Sequence, residues 1–381
     1  MSHEVRRILF VANGHGENAI AARIAREVMA AATPAGCDLF PLVGTGAGAA
    51  PLAAVGPRRA MPSGGLVAMG NLRAFASDLR AGFLGLLGAQ LAFLHGARDR
   101  YDLCVAVGDA YALGLALGSG LRTVFVGTAK SVYVAPYGPF ERTLLRRAAR
   151  AFVRDEPTAA RLREQRVAAL AAGNAIVDLV AADAPALPGT WLGLLPGSRA
   201  SAYADAVRLA RVARELGPLR PELQALLSVA PTLESERFER ELAADGWIVS
   251  PATTGGEFAA EANGMRLRAW RGELGTLLAS SAAVLGQAGT ANEQAAARGI
   301  PVLALDDGAA RSAAWYRMRQ RRLLGDALLL VPAEPEAAAA ALASLLADSG
   351  RLQSMSEAGR ARMGPPGGAA AIAVAILTVA A

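Results

Sequence analysis

Residues 282–305 read AAVLGQAGTANEQAAARGIPVLAL, and this stretch decides the fold. It opens on a short apolar run of strand length, followed by the flexible loop Gly286-Gln287-Ala288-Gly289-Thr290. An alanine-rich helix carrying Asn292, Glu293 and Gln294 comes next, and Gly299-Ile300-Pro301 ends it ahead of a second apolar run. Strand, glycine loop, helix and strand in that order make a βαβ unit, which belongs to a parallel sheet. The glycines let backbone approach a diphosphate, and the helix start offers it N–H donors. Glu293 falls in the first helical turn, where its carboxylate can accept hydrogen bonds from ribose hydroxyls. Gln287, Gly289, Thr290, Asn292 and Glu293 are thus candidate ligand contacts; a simple helix cap would not need the whole arrangement.

Outward from this unit, short β-branched runs alternate with alanine-rich helical stretches, the pattern of parallel sheets covered on both faces. Strands are expected at Arg7–Val11, Asp38–Val43, Leu103–Val107, Thr123–Val126 and Ala151–Val153. The segment AADAPALPG at residues 181–189 reads as an interdomain linker, after which the pattern restarts. Second-half strands are expected at Trp191–Leu195, Leu223–Val229, Leu267–Trp270, Ala283–Leu285, Pro301–Leu305 and Leu328–Val331. A chain of 381 residues suits two such α/β domains, placed at 1–183 and 190–360.

Four further motifs sit where strands run out. The segment LLPGSRAS gives a strand, a Pro196-Gly197 turn, then Ser198 and Arg199 at a helix start, where N–H groups and a guanidinium suit a phosphate; a surface ion pair for Arg199 is the alternative. The first strand ends in Asn13-Gly14-His15-Gly16-Glu17-Asn18, at the carboxyl end where open α/β sheets bind ligands, or as a turn capped by Asn18 with His15 and Glu17 as bystanders. It lacks the GxGxxG spacing of a dinucleotide site, which counts against a dehydrogenase. DLCVAV runs into Gly108-Asp109, either a helix cap or a general base for a hydroxyl. TVFVG leads to Thr128-Ala129-Lys130-Ser131, where the chain's only lysine offers a compact ammonium to an anion; the glycine spacing of a P-loop is missing.

Composition narrows the classes. Hydrophobic residues at 53% and charged residues at 19% exclude a disordered chain, and 5% aromatics argue against stacked-ring sugar platforms. The net charge of +6 invites nucleic acid, but the basic residues read as scattered, with no helix concentrating them among aromatics, so no nucleic-acid partner is expected. A basic surface also suits phosphorylated substrates and anionic head groups. Cys37 and Cys104 lie in strand-like surroundings without CxxC spacing, which predicts reduced, buried thiols. MSHEVRR leads straight into a strand without a signal-peptide pattern, and a cytoplasmic location is expected. Residues 81–97 and the closing GPPGGAAAIAVAILTVAA are apolar but read as buried helices rather than membrane spans. Residues 64–97 hold more apolar positions than one amphipathic face needs; either they complete a core, or their Leu and Phe side chains meet lipid while Arg73, Arg80 and Arg98 engage phosphates.

With these residues in view, the chain resembles the lipid A disaccharide synthase family of GT-B glycosyltransferases, more closely its lipid-A-disaccharide-synthase-related branch. The resemblance rests on NGHGEN, VGTAKS, AGNAIVD at 172–178, LLPGSR, GQAGTANEQAAARGIPV and GPPGGAAAIAVAIL. It implies two Rossmann-like domains facing a cleft, with a C-terminal helix at 361–381 crossing back to the first. It implies metal-independent, inverting transfer from a UDP-sugar held by the second domain to a lipid or glycolipid acceptor on the first, with no further cofactor, and peripheral contact with an anionic membrane. Gly197, Ser198, Arg199 and Gln287–Thr290 would hold the diphosphate and Glu293 the ribose. Asp109, Glu17 or His15 would be the base, beside Lys130. The sequence carries no clustered His/Cys/carboxylate signature, which agrees with this. A weaker resemblance to UDP-N-acetylglucosamine 2-epimerases, through the second-domain loop, keeps an isomerase or a non-catalytic nucleotide-sugar binder as alternatives.

Overall fold

The computed structural model describes residues 6–31, 35–44, 46, 49–59, 79–181, 183–252, 255–306 and 311–380. The chain divides into two compact units, Met1–Leu179 with Pro366–Ala381, and Val180–Pro365. In the first, the elements are β1 (Arg6–Ala12), α1 (His15–Ala30), β2 (Ala35–Pro41), β3 (Ala53–Ala54), α2 (Phe83–Ala97), β4 (Leu103–Gly108), α3 (Ala110–Gly118), β5 (Arg122–Gly127), α4 (Pro139–Leu145), β6 (Arg150–Phe152), α5 (Glu156–Glu164) and β7 (Ala169–Leu170). In the second they are β8 (Thr190–Leu195), α6 (Ala202–Leu216), β9 (Leu223–Ser228), α7 (Ser235–Ala244), β10 (Ile248–Pro251), β11 (Phe258–Ala262), β12 (Met265–Trp270), α8 (Leu274–Ser280), β13 (Ser281–Gly286), α9 (Thr290–Ala297), β14 (Val302–Asp306), α10 (Arg311–Leu324), β15 (Leu328–Pro332), α11 (Pro335–Ala347) and α12 (Ser349–Met363). The last helix, α13 (Gly368–Ala380), belongs to the first unit.

The first sheet is parallel throughout, in the order β3-β2-β1-β4-β5-β6-β7. Its central strands are apolar runs buried on both sides: Ile8–Ala12 and Leu103–Val107 have no solvent exposure. α1 turns Ile20, Ile24 and Val28 into the core, and α13 packs against it. Asp178 fixes α13 in place, because its two carboxylate oxygens accept the N–H groups of Gly367 and Ala369 at 2.7 Å each. The Asp178 carbonyl in turn accepts from Arg23 of α1 at 3.0 Å.

The second sheet runs β10-β11-β12-β9-β8-β13-β14-β15. Six of its strands, from β12 to β15, are parallel neighbours, but β10, β11 and β12 pair antiparallel, so the all-parallel expectation is corrected at this edge. The β11–β12 hairpin turns on Asn263 (φ 49°) and Gly264 (φ 77°), the two left-handed positions that a two-residue hairpin loop requires. The segment 181–189, read from the sequence as a linker, contacts this unit through its described residues: Leu187 donates its N–H to Ser280 Oγ at 2.8 Å, and Gly275 packs against Ala184 and the preceding Val180.

In both sheets the chain builds outward from a first strand, then returns to its other side. β1 is followed by β2 and β3 on one side and β4 on the other; β8 is followed by β9 on one side and β13 on the other. The crevices at β1/β4 and β8/β13 are therefore topological switch points, where open α/β sheets bind ligands at their carboxyl edge.

Two apolar segments take definite form. Ser349–Ala380 is long and apolar enough to cross a membrane by length and composition, but the helix is interrupted at 364–367, between α12 and α13. α2 buries Phe83, Gln90, Leu94 and Ala97 while leaving Leu84 and Leu91 exposed; residues 64–78 of the apolar stretch, with Arg73, lie outside the described residues. The expectation that no helix gathers basic and aromatic residues is also corrected: α10 carries Arg311, Arg317, Arg319, Arg321 and Arg322 with Trp315 and Tyr316, and no acidic residue.

Candidate functional site

At the β8/β13 switch point, Leu195 and Gly286 end their strands side by side. The Leu195 carbonyl accepts the N–H groups of Gln287 at 2.9 Å and Ala288 at 3.1 Å, so the two predicted loops are joined by backbone hydrogen bonds. Gly197 sits at φ 109°, a conformation that favours glycine, and a Cβ there would meet nothing within 4 Å; the same holds for the space beside Gly289. Both glycines thus border open space beside the strand ends.

Ser198 and Arg199 are exposed in a turn ahead of α6, which begins at Ala202, so they precede the helix instead of opening it. Arg199 makes no ion pair among the described residues, and the surface-pair alternative lapses. Tyr203, one turn on, is buried: its hydroxyl accepts from Glu234 N–H at 3.0 Å and its ring lies under Arg237.

The second loop enters α9, whose N-cap Gly289 supplies no side-chain hydrogen bond, leaving first-turn N–H groups for a ligand. Thr290 is exposed and Glu293 half-buried in that turn. Asn292 is different. It is fully buried, donates to the Gly286 carbonyl at 3.1 Å and to Gln320 Oε1 at 3.3 Å, and so braces the loop from behind. A Cβ on Gly286 would lie 2.0 Å from Asn292 Oδ1, which explains the glycine. Gln320 of α10 completes the brace, donating to the Ala288 carbonyl at 2.9 Å. The sequence signals for Gln320 are weak, since it stands in a basic helix about thirty residues from the loop it supports. Both amide atoms of Gln287 are buried without a hydrogen-bond partner among the described residues, an arrangement that favours a ligand or water supplying one.

At the β1/β4 switch point, Asn13, Glu17 and Gly108 converge. Gly108 has φ 132°, and a Cβ on it would lie 2.1 Å from Asn13 Oδ1 and 3.2 Å from Glu17 Cγ. Glu17 Oε1 accepts from the Thr128 hydroxyl at 3.3 Å, joining the ends of β1 and β5. Asp109 caps α3: its Oδ1 accepts the N–H groups of Tyr111 at 2.9 Å and Ala112 at 3.2 Å. Burial, with the Asp109 charge second, pushes the Tyr111 hydroxyl up to about 12.

Two expectations change here. The N-cap of α1 is Gly14, not Asn18, which lies wholly buried in the second turn with both amide atoms unpartnered among the described residues. Lys130 does not face an open anion site: its ammonium is 2.6 Å from Glu141 Oε2 and lies over the Tyr137 ring. The same Glu141 oxygen accepts the Gly138 N–H that begins α4, so Lys130 holds a loop. The backbone of His15 opens α1; its side chain lies outside what is described.

No family model and no curated protein matches the chain. Solved structures do. Acinetobacter baumannii MurG matches at 14% identity with a TM-score of 0.59, covering 98% of this chain and 99% of the other. The UDP-GlcNAc 2-epimerase of Neisseria meningitidis, bound to UDP-GlcNAc, matches at 13% identity and 0.56, covering 98% and 100%. The calicheamicin glycosyltransferase CalG4 matches at 16% and 0.57, covering 98% and 99%. The chain has the two-domain, Rossmann-like fold of the GT-B type that these enzymes share.

Proposed function

We propose that the protein is a glycosyltransferase that binds a UDP-sugar at the β8/β13 crevice and transfers the sugar to a lipid or glycolipid acceptor. One observation carries the donor site: two hydrogen-bonded loops with open glycines, an exposed Arg199 without an ion pair among the described residues, and an uncapped helix start meet at a single switch point. Such a set neutralises a diphosphate without needing a metal, since a guanidinium and helix N–H groups both favour anionic oxygens. Glu293 would take the ribose. The named neighbours support the reading, since they include sugar transferases and an enzyme holding UDP-GlcNAc. The finer likeness to the lipid-A-disaccharide-synthase-related branch adds the lipid acceptor and an N-acetylglucosamine-type sugar.

In the proposed step an acceptor hydroxyl attacks the anomeric carbon, its proton passes to a base, and the bond to UDP breaks with inversion. Glu17, Asp109 and His15 remain the candidate bases; Lys130 acts by holding its loop. Charge on the departing UDP falls to Arg199 and the start of α9, and losing one preorganised donor of this kind typically costs about 10²–10³ in rate. The exposed Leu84 and Leu91 of α2 give a lipid acceptor an apolar surface to meet.

An epimerase is the second reading, favoured by the UDP-GlcNAc 2-epimerase among the structural neighbours. One assay separates the two. UDP-GlcNAc is incubated with and without a lipid extract, alongside a survey of other UDP-sugars, and UDP, sugar isomers and new glycolipid are measured. Lipid-dependent UDP release with a new glycolipid supports transfer. A sugar isomer formed without lipid refutes it in favour of the epimerase.

A further inference from the structure

We infer that the outer face of α10 docks on an anionic lipid bilayer. At 3.6 residues per turn, Trp315, Met318, Arg319 and Arg322 fall within roughly 100° of arc on one side of the helix. Trp315 is 46% exposed and Met318 44%, and Arg322 is exposed beside them. The Arg319 guanidinium lies 5.2 Å from the Trp315 ring centroid, so cation and indole already share one surface. The opposite side faces the protein: Leu324 is fully buried, and Gln320 donates to the Ala288 carbonyl. Arg362 of α12 clamps the end of α10 by donating to the carbonyls of Leu323 at 2.8 Å and Arg322 at 2.7 Å. The outward face is therefore fixed in orientation.

The chemistry selects the partner. Exposed apolar groups one turn apart, flanked by arginines, have no use for bulk water. At a bilayer surface the indole sits at head-group level, the thioether reaches the acyl boundary, and the guanidiniums meet lipid phosphates. No acidic residue in α10 opposes that field. A nucleic acid would use the arginines and could stack on the indole, but it leaves the thioether exposed without gain; it is the weaker reading. The inference stands on α10 itself and does not depend on the transferase reading.

The test uses the full chain with vesicles of equimolar phosphatidylglycerol and phosphatidylcholine, with phosphatidylcholine vesicles alone, and with a single-stranded RNA oligonucleotide. Flotation should occur with the anionic vesicles and weaken at high salt. Arg319→Gln with Arg322→Gln should lower the partition coefficient by about thirtyfold, since each surface arginine contributes roughly fivefold. Trp315→Ala with Met318→Ala should lower it as well, and the wild-type fluorescence should shift to the blue on vesicles in a way that Trp315→Phe abolishes. Unaltered melting temperature and UDP affinity in these variants would separate a docking defect from a failed donor site. The inference is overturned if the wild type does not bind anionic vesicles, if both double variants bind as the wild type does, or if only RNA binds. Flotation lost in Leu84→Asp yet intact in the α10 variants would move the surface to α2 and overturn it too.

Discussion

Glu293 and Asn292 are neighbours in one helical turn, yet the fold gives them opposite work. Glu293 is half-buried in the first turn of α9, whereas Asn292 is sealed behind the loop and bonded to Gly286 and Gln320. Glu293→Ala should therefore weaken UDP binding more than inorganic diphosphate binding, read by calorimetry with both ligands. Equal losses would make Glu293 a packing residue. Asn292→Ala should instead lower stability, by about 1–3 kcal/mol, because it strands the Gly286 carbonyl in the interior; chemical denaturation measures it. The sequence marked both residues as contacts because spacing places them in one turn but does not say which side of the turn is buried. The same limit applies to Lys130, whose rarity was legible and whose partner Glu141, eleven residues on, was not. Cys104 was read correctly as a buried thiol, whereas Cys37, read the same way, is only half-buried; burial pushes the Cys104 thiol from 9.0 up to about 12. The folded state holds that proton more tightly than the unfolded chain, so the stabilising contribution is complete below pH 9.0 and fades as pH rises toward about 12. Denaturation midpoints followed through that window should fall more steeply for the wild type than for Cys104→Ala.

Among elements, strands of the two sheet centres were legible because strands buried on both faces are continuous apolar runs, as in ILFVA of β1 and LCVAV of β4. The short edge strands β3 and β7 carry two residues each and leave no such trace. Of the β11–β12 hairpin only Leu267–Trp270 of β12 was read as a strand; β11, FAAEA, offers one aromatic among small residues and a glutamate, and the Asn263-Gly264 turn between the two was not used. The AGNAIVD motif, noted from the sequence only as part of a resemblance, acquires a physical role: Asp178 caps a helix that begins 190 positions later in the chain, at Gly368. Asp178→Ala should cost about 0.5–2 kcal/mol and loosen α13 first. Limited proteolysis should then cut near the α13 end sooner than in the wild type, while the second unit resists as before; identical digestion would show that α13 is held by packing alone.

For the molecule as a whole, two sheets repeat one architectural decision, reversal of strand order beside the first strand, and each brings its glycine-bearing loops to that point. This is why motifs about ninety residues apart in sequence, Gly197–Arg199 and Gln287–Glu293, become neighbours: each follows the carboxyl end of one of two paired strands. What strand ends could not supply is the chemistry of the acceptor. A ligand bound only to the folded state should stabilise it, by about 2.7 kcal/mol at a hundredfold excess over Kd, so UDP should raise the melting temperature in proportion to the logarithm of its concentration. The central claim, that the β8/β13 crevice holds the diphosphate of a UDP-sugar, is tested most directly by titrating UDP into the wild type and into Arg199→Ala by calorimetry. We predict saturable binding by the wild type and a loss of roughly ten- to a hundredfold in the variant, the scale of a charge-assisted hydrogen bond, with the melting temperature of the free protein unchanged. Equal affinity in the two proteins, or no binding by the wild type, would contradict it.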